Sequence, residues 1–384
     1  MKNRAVISGV YGTPAGKLPE STSLSLHAQA AFGALADAGL SLNDVDGVLC
    51  AYSLAEPHPM PSSIFSEYVG LQPNYSASIS AGGASACLMV MTAKALVESG
   101  VCRHILLVTG DNRLTGMPPG GAVAALAHFG HPQFERPYGM TIPACYALVA
   151  QRYMAEFGIT REQLSAVAVT QRGYAGLHPG SQLKSPISVE DVYNSRLIAS
   201  PLRLLDCAPI SDGGAALLLS NLDRLPDRNR AISILGAGQK HTHEHITAAP
   251  SLTDFGCKES ARIAFQQARV TPREIDVAEI YDSFTITLLI ELESMGFFPK
   301  GEAGAAAESG ELGPAGRLPC NTHGGLLSYG HPGAPGGMYH IVEAVSQLRG
   351  DAGVRQVKGS ALAFVHGDGG VLSAHCSLIL GKRE

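Results

Sequence analysis

The chain has no run rich in lysine and arginine, no apolar stretch long enough to span a bilayer, and no Cys-x-x-Cys pair. Each absence excludes a class. Without a basic patch, and at a net charge of -5, nucleic acid is not expected as a partner. The longest apolar helical stretch, Ala84 to Val97, is short and carries Lys94, so no membrane span is expected. The opening Met1-Lys-Asn-Arg-Ala-Val-Ile-Ser-Gly-Val reads as a short strand, because it lacks the long apolar region and cleavage site of a secretory leader. The eight cysteines, at 50, 87, 102, 145, 207, 257, 320 and 376, suggest free thiols, a cytoplasmic location and no structural zinc. No Gly-x-x-x-x-Gly-Lys-Ser/Thr loop is present, which argues against ATP hydrolysis. No Gly-x-Ser-x-Gly elbow is present, which argues against an α/β-hydrolase.

What is there is ample core: 45% hydrophobic and 16% charged residues in 384, enough for two fused domains and too apolar for disorder. The chain also repeats itself. Arg4-Ala-Val-Ile-Ser-Gly-Val is echoed by Arg230-Ala-Ile-Ser-Ile-Leu-Gly. Each leads into a helical pattern, Ser23 to Ala38 and Thr253 to Ala268. Each helix is followed by a second strand, within Leu42 to Cys50 and Pro272 to Ile280. Asp212-Gly-Gly-Ala-Ala matches Asp368-Gly-Gly-Val-Leu near the two ends. Alternating strands and helices predict an α/β fold with parallel pairing. The junction falls in the polar stretch Asp223 to Arg230, giving halves 1–225 and 226–384. Residues of about 110–200 have no counterpart in the second half. They form an insertion with helical patterns at Pro143 to Phe157 and Arg161 to Ala175, of the kind that makes lids and binding loops.

Three loops could carry chemistry. In Ser78-Ile-Ser-Ala-Gly-Gly-Ala-Ser-Ala-Cys, Ser80 is either a helix cap or a residue where backbone N–H groups gather developing negative charge. In Ala278-Glu-Ile-Tyr-Asp-Ser-Phe-Thr, Tyr281 and Asp282 are polar strand-end groups, or ligand contacts at the carboxyl end of a sheet. Asn321-Thr-His-Gly-Gly-Leu-Leu-Ser-Tyr-Gly-His-Pro-Gly-Ala-Pro-Gly-Gly has too many glycines to build a core and presents His331. Val365-His-Gly-Asp-Gly-Gly repeats the style and presents His366. His241-x-His-x-His245 has the look of a chelate, but its polar setting reads as an exposed edge, and no metal is expected there.

The doubled unit, the Gly330-His-Pro loop and the glycine-rich end resemble the thiolase superfamily, and its sterol-carrier-protein-type branch in particular. Pro137-Tyr-Gly-Met-Thr-Ile-Pro-Ala, Pro201-Leu-Arg-Leu-Leu-Asp-Cys and Ser211-Asp-Gly-Gly-Ala-Ala carry the likeness further, across essentially the whole chain. The resemblance implies a duplicated five-layer αβαβα architecture with an inserted loop domain. It implies CoA thioesters as substrates, no separate cofactor, and a homodimer. Thiolases take a nucleophilic cysteine from a Cys-Ser-Ser/Thr-Gly loop; here Ser80-Ala-Gly-Gly stands there. Tyr281-Asp-Ser-Phe stands at Asn-Glu-Ala-Phe, Gly-His-Pro is kept with His331, and His366-Gly-Asp replaces Cys-x-Gly. The backbone N–H groups of Ser80 and Asp368 match the family's second oxyanion hole. Asn321, Gly330 and Gly367 are expected to border the substrate, and His128, His131 and Tyr138 of the insertion to line the acyl pocket.

The departures bear on the reaction. A thiolate suits thioester exchange, whereas a serine has a far higher pKa and forms a more stable ester. Cys87 lies inside the helical pattern and reads as core. An enolate-stabilising site without a nucleophile suits aldol or retro-aldol cleavage of a β-hydroxyacyl-CoA. Tyr281 and Tyr329 are then the acid/base pair, with His331 and His366 orienting the thioester. This resembles thiolase-like aldolases that shorten steroid side chains and pair with a small accessory protein containing an OB fold and zinc ribbon. A thiolase-type acyltransferase and a non-catalytic acyl-CoA-binding or scaffolding subunit are the two alternatives.

Overall fold

The computed structural model describes residues 4–382, so Met1–Asn3 of the expected first strand lie outside the described residues. The strands are β1 (Ala5–Gly12), β2 (Gly47–Cys50), β3 (Tyr75–Ser78), β4 (His104–Asn112), β5 (Leu197–Ala199), β6 (Leu202–Arg203), β7 (Asp212–Asn221), β8 (Ile232–His241), β9 (Val277–Ile280), β10 (Leu362–Gly369) and β11 (Ala374–Gly381). Nine of them form one sheet in the order β3-β2-β4-β7-β1-β8-β11-β10-β9, and β5 pairs with β6 apart from it. The α-helices are α1 (Ser23–Ala38), α2 (Pro61–Val69), α3 (Ser85–Glu98), α4 (Gly121–Ala127), α5 (Ile142–Phe157), α6 (Arg161–Leu177), α7 (Val189–Asn194), α8 (Cys257–Ala268), α9 (Thr285–Ser294), α10 (Ala303–Glu308) and α11 (Ala334–Arg349).

The two halves repeat one topology. β3-β2-β4-β7-β1 is mirrored by Cys320-β9-β10-β11-β8, in which Cys320 bridges Ala278 in place of a full edge strand. The halves join where β1 meets β8, at Val6–Ser233 and Ile7–Ile232. Pairing is not parallel throughout. β2, β3 and β4 run parallel, as do β9 and β10, but β7 and β11 are antiparallel to their neighbours. Only Gly370–Ser373 separate β10 from β11, too short a link for a crossover, so the chain must turn straight back. In the first half the helices α4 to α7 occupy the stretch between the corresponding strands, β4 and β7.

This topology also corrects an internal match. Asp212-Gly-Gly opens β7, whereas Asp368-Gly closes β10. The counterpart of Val365-His-Gly-Asp368 is Val108-Thr-Gly-Asp111 at the end of β4.

The layers follow from the packing. α1 covers only strands of the first half and α8 only strands of the second, while α3 and α11 pack on each other and on strands of both halves. α1 is started by Thr22, whose hydroxyl accepts from Ser25 N at 3.1 Å. α8 starts later than its sequence pattern, at Cys257, because Thr253 and Asp254 donate their amides to Ser251 Oγ and hold a turn. α11 is buried over nearly its whole length, as a central layer requires. The two outer helices approach their sheets in the same way. A methyl on Gly9 would lie 2.1 Å from Ala34 O, and one on Gly236 would lie 2.1 Å from Ala264 O. Interiors packed this tightly do not absorb an added branched side chain. Gly9→Val and Gly236→Val should each destabilise the chain by about 3 kcal/mol or more. A lowered urea midpoint checks this, and an unchanged midpoint in both would refute the close-packing account.

Candidate active site

Parallel α/β strands collect ligands at their carboxyl ends. Here four such ends meet: Tyr52 follows β2, Arg113 follows β4, Tyr281 follows β9, and Asp368 to Gly370 close β10. Tyr281 is fixed by its neighbours. Its amide donates to His366 O at 3.1 Å. The preceding peptide, Ile280, is clamped by Asn321, which accepts from Ile280 N at 2.6 Å and donates to Ile280 O at 2.8 Å. Asn321 adopts φ 55°, in the left-handed region that Asn tolerates. Both ends of its amide are spent on the backbone, so it positions Tyr281 rather than bordering substrate.

The Tyr281 phenol meets His331 Nε2 at 3.0 Å. The tautomer follows from the other nitrogen. His331 Nδ1 accepts from Gly333 N at 3.1 Å, so in the neutral ring Nε2 carries the hydrogen and donates to Tyr281 Oη. The His331 amide in turn donates to Ser211 Oγ at 2.8 Å. Burial and the Arg113 charge push His331 down to about 3, so the ring is neutral at physiological pH. Burial pushes Tyr281 well above the ordinary phenol range, with Tyr52 and Asp368 adding to it and Arg113 opposing. His331 is partly exposed and opens the pair to solvent, whereas Tyr281 is buried.

The glycine loop before α3 closes the site from the other side. A methyl on Gly83 would sit 2.1 Å from Tyr281 Cζ and 2.4 Å from Asp368 O, and one on Gly82 would sit 2.7 Å from Gly369 Cα. Ser80 lies on this loop with its side chain exposed and, among the described residues, no hydrogen bond. It is not the helix cap: α3 is preceded by Ala84, and Ser85 Oγ binds the loop instead, accepting from Ala81 N at 2.9 Å.

Other expected site residues lie elsewhere. The Tyr329 hydroxyl donates to Thr13 O at 2.9 Å, and its ring packs on His178, His323 and Tyr339, not on Tyr281. His366 turns the opposite way from Gly367, because side chains alternate along β10. Gly367 faces Ala84, while the His366 ring stacks on Phe364 and His375. Asp368 is buried, accepts from Tyr146 Oη at 2.9 Å, and is pushed well above the usual carboxyl range by burial. Gly330 is held at φ 144° against Ala15 and Ser211, which leaves it no substrate face. His128 and Tyr138 are exposed on the insertion, and His131 rings pack on Phe134 and His245, so none of the three lines the Tyr281–His331 pair.

Sequence reasoning missed Arg113. It is 6% exposed, its Nε has no partner among the described residues, and a methyl on Gly333 would lie 3.0 Å from its Nη1. The signal was the likeness of Val108-Thr-Gly-Asp to Val365-His-Gly-Asp, which sets Arg113 at the equivalent strand end.

The thiolase N-terminal domain pattern matches residues 5–223, and the thiolase C-terminal domain-like pattern matches residues 238–382. The chain belongs to the thiolase superfamily. An acetyl-CoA acetyltransferase of Methanothermobacter thermautotrophicus is 34% identical over 98% of this chain and 99% of its own length. A 17-hydroxy-3-oxo-4-pregnene-20-carboxyl-CoA lyase of Mycobacterium tuberculosis is 34% identical over 99% of this chain and 100% of its own. Among solved structures, an Ltp2-ChsH2(DUF35) aldolase superposes with a TM-score of 0.85 at 32% identity, covering 98% of this chain and 97% of that one. Thiolase relatives of both lyase and acyltransferase kind are thus about equally distant from this chain.

Two expectations follow from the geometry. His27 and His340 are buried, and burial pushes each down to about 4 from an ordinary 6.5. The unfolded chain therefore binds more protons between those values, so stability present above pH 6.5 is lost as pH falls toward 4. Lowering the pH from 6.5 to about 5 should cost on the order of 2 kcal/mol per buried ring. Urea midpoints of the parent and of His27→Gln at the two pH values test this, because the comparison removes one ring and keeps the buried carboxyls such as Asp282 that titrate in the opposite sense; an equal pH dependence in both would contradict it. Asn321→Ala strands the Ile280 amide and carbonyl and should cost about 2–5 kcal/mol. A loss below about 0.5 kcal/mol in equilibrium unfolding would show that the clamp is unimportant.

Proposed function

We propose that the chain is a thiolase-fold enzyme of CoA thioesters that makes or breaks the C–C bond beside the thioester carbonyl, in the aldol sense. The observation that carries the reading is the Tyr281–His331 pair at 3.0 Å, set where no thiolate is available. Cys87 is fully buried, and burial pushes its thiol up to about 12. Cys320 and Cys376 are buried, and burial pushes both thiols well above the usual range.

In the cleavage direction the β-hydroxyl proton passes to the Tyr281 oxygen, which acts as base once its own proton has left; burial disfavours that tyrosinate, and the His331 N–H and the nearby Arg113 charge offset part of the cost. The β-carbon becomes a carbonyl, and the Cα–Cβ electron pair becomes the thioester enolate. The enolate carbon then takes a proton, which Tyr281 is placed to return, to leave the shortened acyl-CoA. The His331 N–H donates to the Tyr281 oxygen and so lowers the cost of forming the tyrosinate that acts as base. Ser80, exposed and without a base, does not take part as a nucleophile.

A cleft adjoining Gly370 is lined by Leu126, Phe129, Met140, Ile142 and Val371 together with Glu135 and Glu244, and its apolar wall suits a hydrophobic acyl group. The half-exposed edge strand β3 suits pairing with a second copy in a homodimer. A small accessory protein is supported by the aldolase likeness, whose name includes a second protein; the partner we propose contains an OB fold and a zinc ribbon. Eight free cysteines suit the reducing cytoplasm.

The test is turnover of β-hydroxyacyl-CoA thioesters, with and without a candidate accessory protein. Tyr281→Phe should lower kcat by at least about a thousandfold and His331→Ala by about a hundredfold or more. Ser80→Ala should keep activity within about tenfold. Tyr329→Phe separates a one-tyrosine cycle from one in which Tyr329 leaves Thr13 to make the second proton transfer. Full activity in Tyr281→Phe, or an acyl adduct on Ser80 by mass spectrometry, sinks the proposal.

A further inference from the structure

Behind the active-site loop, on the far side of β10, three buried side chains converge. His366 Nε2 lies 3.2 Å from His375 Nδ1 and 3.5 Å from Glu291 Oε1, and His375 Nδ1 lies 4.0 Å from the same oxygen. The hydrogen positions are fixed by the outer neighbours. His375 Nε2 faces Leu372 O at 2.9 Å, and a carbonyl only accepts, so Nε2 carries the hydrogen and Nδ1 presents a lone pair. The His366 side follows a longer chain. Ser260 Oγ donates to Cys257 O at 3.0 Å, so across the 3.0 Å contact with Ser377 it accepts, and Ser377 donates. Ser377 Oγ therefore accepts from His366 Nδ1 at 2.8 Å, and His366 Nε2 also presents a lone pair.

Two imidazole lone pairs and a carboxylate thus point into one volume with no donor between them. Neither Glu291 oxygen has a hydrogen-bond partner among the described residues, and the residue is fully buried. Burial holds Glu291 well above the usual carboxyl range, and a proton on it would serve one imidazole and leave the other lone pair unrelieved. A cation relieves all three. Ligands on a tetrahedral ion at about 2.0–2.1 Å stand roughly 3.3 Å apart; two sides of this triangle, 3.2 and 3.5 Å, are close to that, and the third is longer at 4.0 Å. The outer contacts to Leu372 O and Ser377 Oγ are those that orient ligating imidazoles. Asp368 Oδ1, also without a partner, lies 3.9 Å from His375 Nδ1.

The other buried Glu/His/His group, Glu279, His323 and His340, differs on this point. There Glu279 Oε1 accepts from Thr322 N and Oε2 lies 3.0 Å from His323 Nδ1, so both carboxylate oxygens face a donor, whereas His323 Nε2 and His340 Nε2 have no hydrogen-bond partner among the described residues.

We propose that Glu291, His366 and His375 bind one divalent transition-metal ion of the zinc class, a structural site that ties α9 to the ends of β10 and β11 directly behind Asp368–Gly370. Two histidines and a carboxylate are borderline donors, which suit zinc or cobalt over magnesium or calcium.

The full chain, expressed with zinc and purified without chelators, should carry about one zinc per chain by elemental mass spectrometry. Chain produced with cobalt should show the intense visible ligand-field bands of low-symmetry cobalt(II). Glu291→Gln and His375→Gln should each lower metal content about tenfold or more. If these variants do not fold, the cobalt spectrum of the unaltered chain decides, and absence of the bands overturns the proposal. Less than about 0.1 metal per folded chain also overturns it. The paired change His241→Ala with His245→Ala should leave the content unchanged; loss of metal there would move the ion to that exposed stretch and refute the site.

Discussion

The structure depends on a crossing of backbones at Gly83. A methyl there would strike Tyr281 and Asp368 O, one on Gly337 would lie 2.3 Å from Gly83 O, and one on Gly367 would lie 2.9 Å from Ala84 Cα. The start of α3, the start of α11, the end of β10 and the residue after β9 thus meet with almost no side-chain volume between them. Side chains of ordinary size would hold these backbones a few ångströms further apart, and a hydrogen bond of 3.0 Å between Tyr281 and His331 does not survive such a shift. Fold and site share this one contact. It lets the central helices pack between the halves, and it delivers a tyrosine from one loop to a histidine from another.

Beneath the crossing the protein buries several ionisable groups, among them Glu279, Asp282, His323, His340 and Glu343. Glu279 accepts from Thr322 N and pairs with His323, Glu343 accepts from Gln347 and Arg355, and the Thr322 hydroxyl, with one hydrogen to give, lies 2.8 Å from both carboxylates. Asp282, pushed up to about 7 by burial, accepts from Leu326 N and so fixes the turn that carries Tyr329. Buried networks of this kind rigidify what they support, because a rearrangement strands further polar groups at low dielectric. The consequence is a preorganised N–H on His331 Nε2, set by Gly333 rather than by solvent. Arg113 supplies positive charge to the same place from the other half of the chain.

Much of the architecture was legible in the residues. The echo of Arg4–Val10 in Arg230–Gly236 gave the duplication, because a repeated strand–loop–helix unit buries its faces in the same way each time. Helical periodicity located α5 and α6 within a few residues. The direction of β7 and β11 was not legible, because apolar runs look alike in parallel and antiparallel pairing, and only the length of the Gly370–Ser373 link distinguishes them. The glycine-rich loop around His331 was visible as a site because glycines in such number have no use in a core.

The sequence by itself determined the family, the doubled unit and the loops that approach one another. It did not determine which side chains of those loops share a face. Tyr281 and His331 meet, whereas Tyr329 turns to Thr13 and His366 turns into a buried nest with Glu291 and His375. Residues adjacent in a motif alternate across a strand, so neighbours in sequence leave in opposite directions. Arg113 and Glu291 belong to no motif and reach their places only through long-range packing. Only the tertiary structure decided those directions, because they depend on register, on the Asn321 clamp and on the close approach at Gly83, none of which is a local property of the chain.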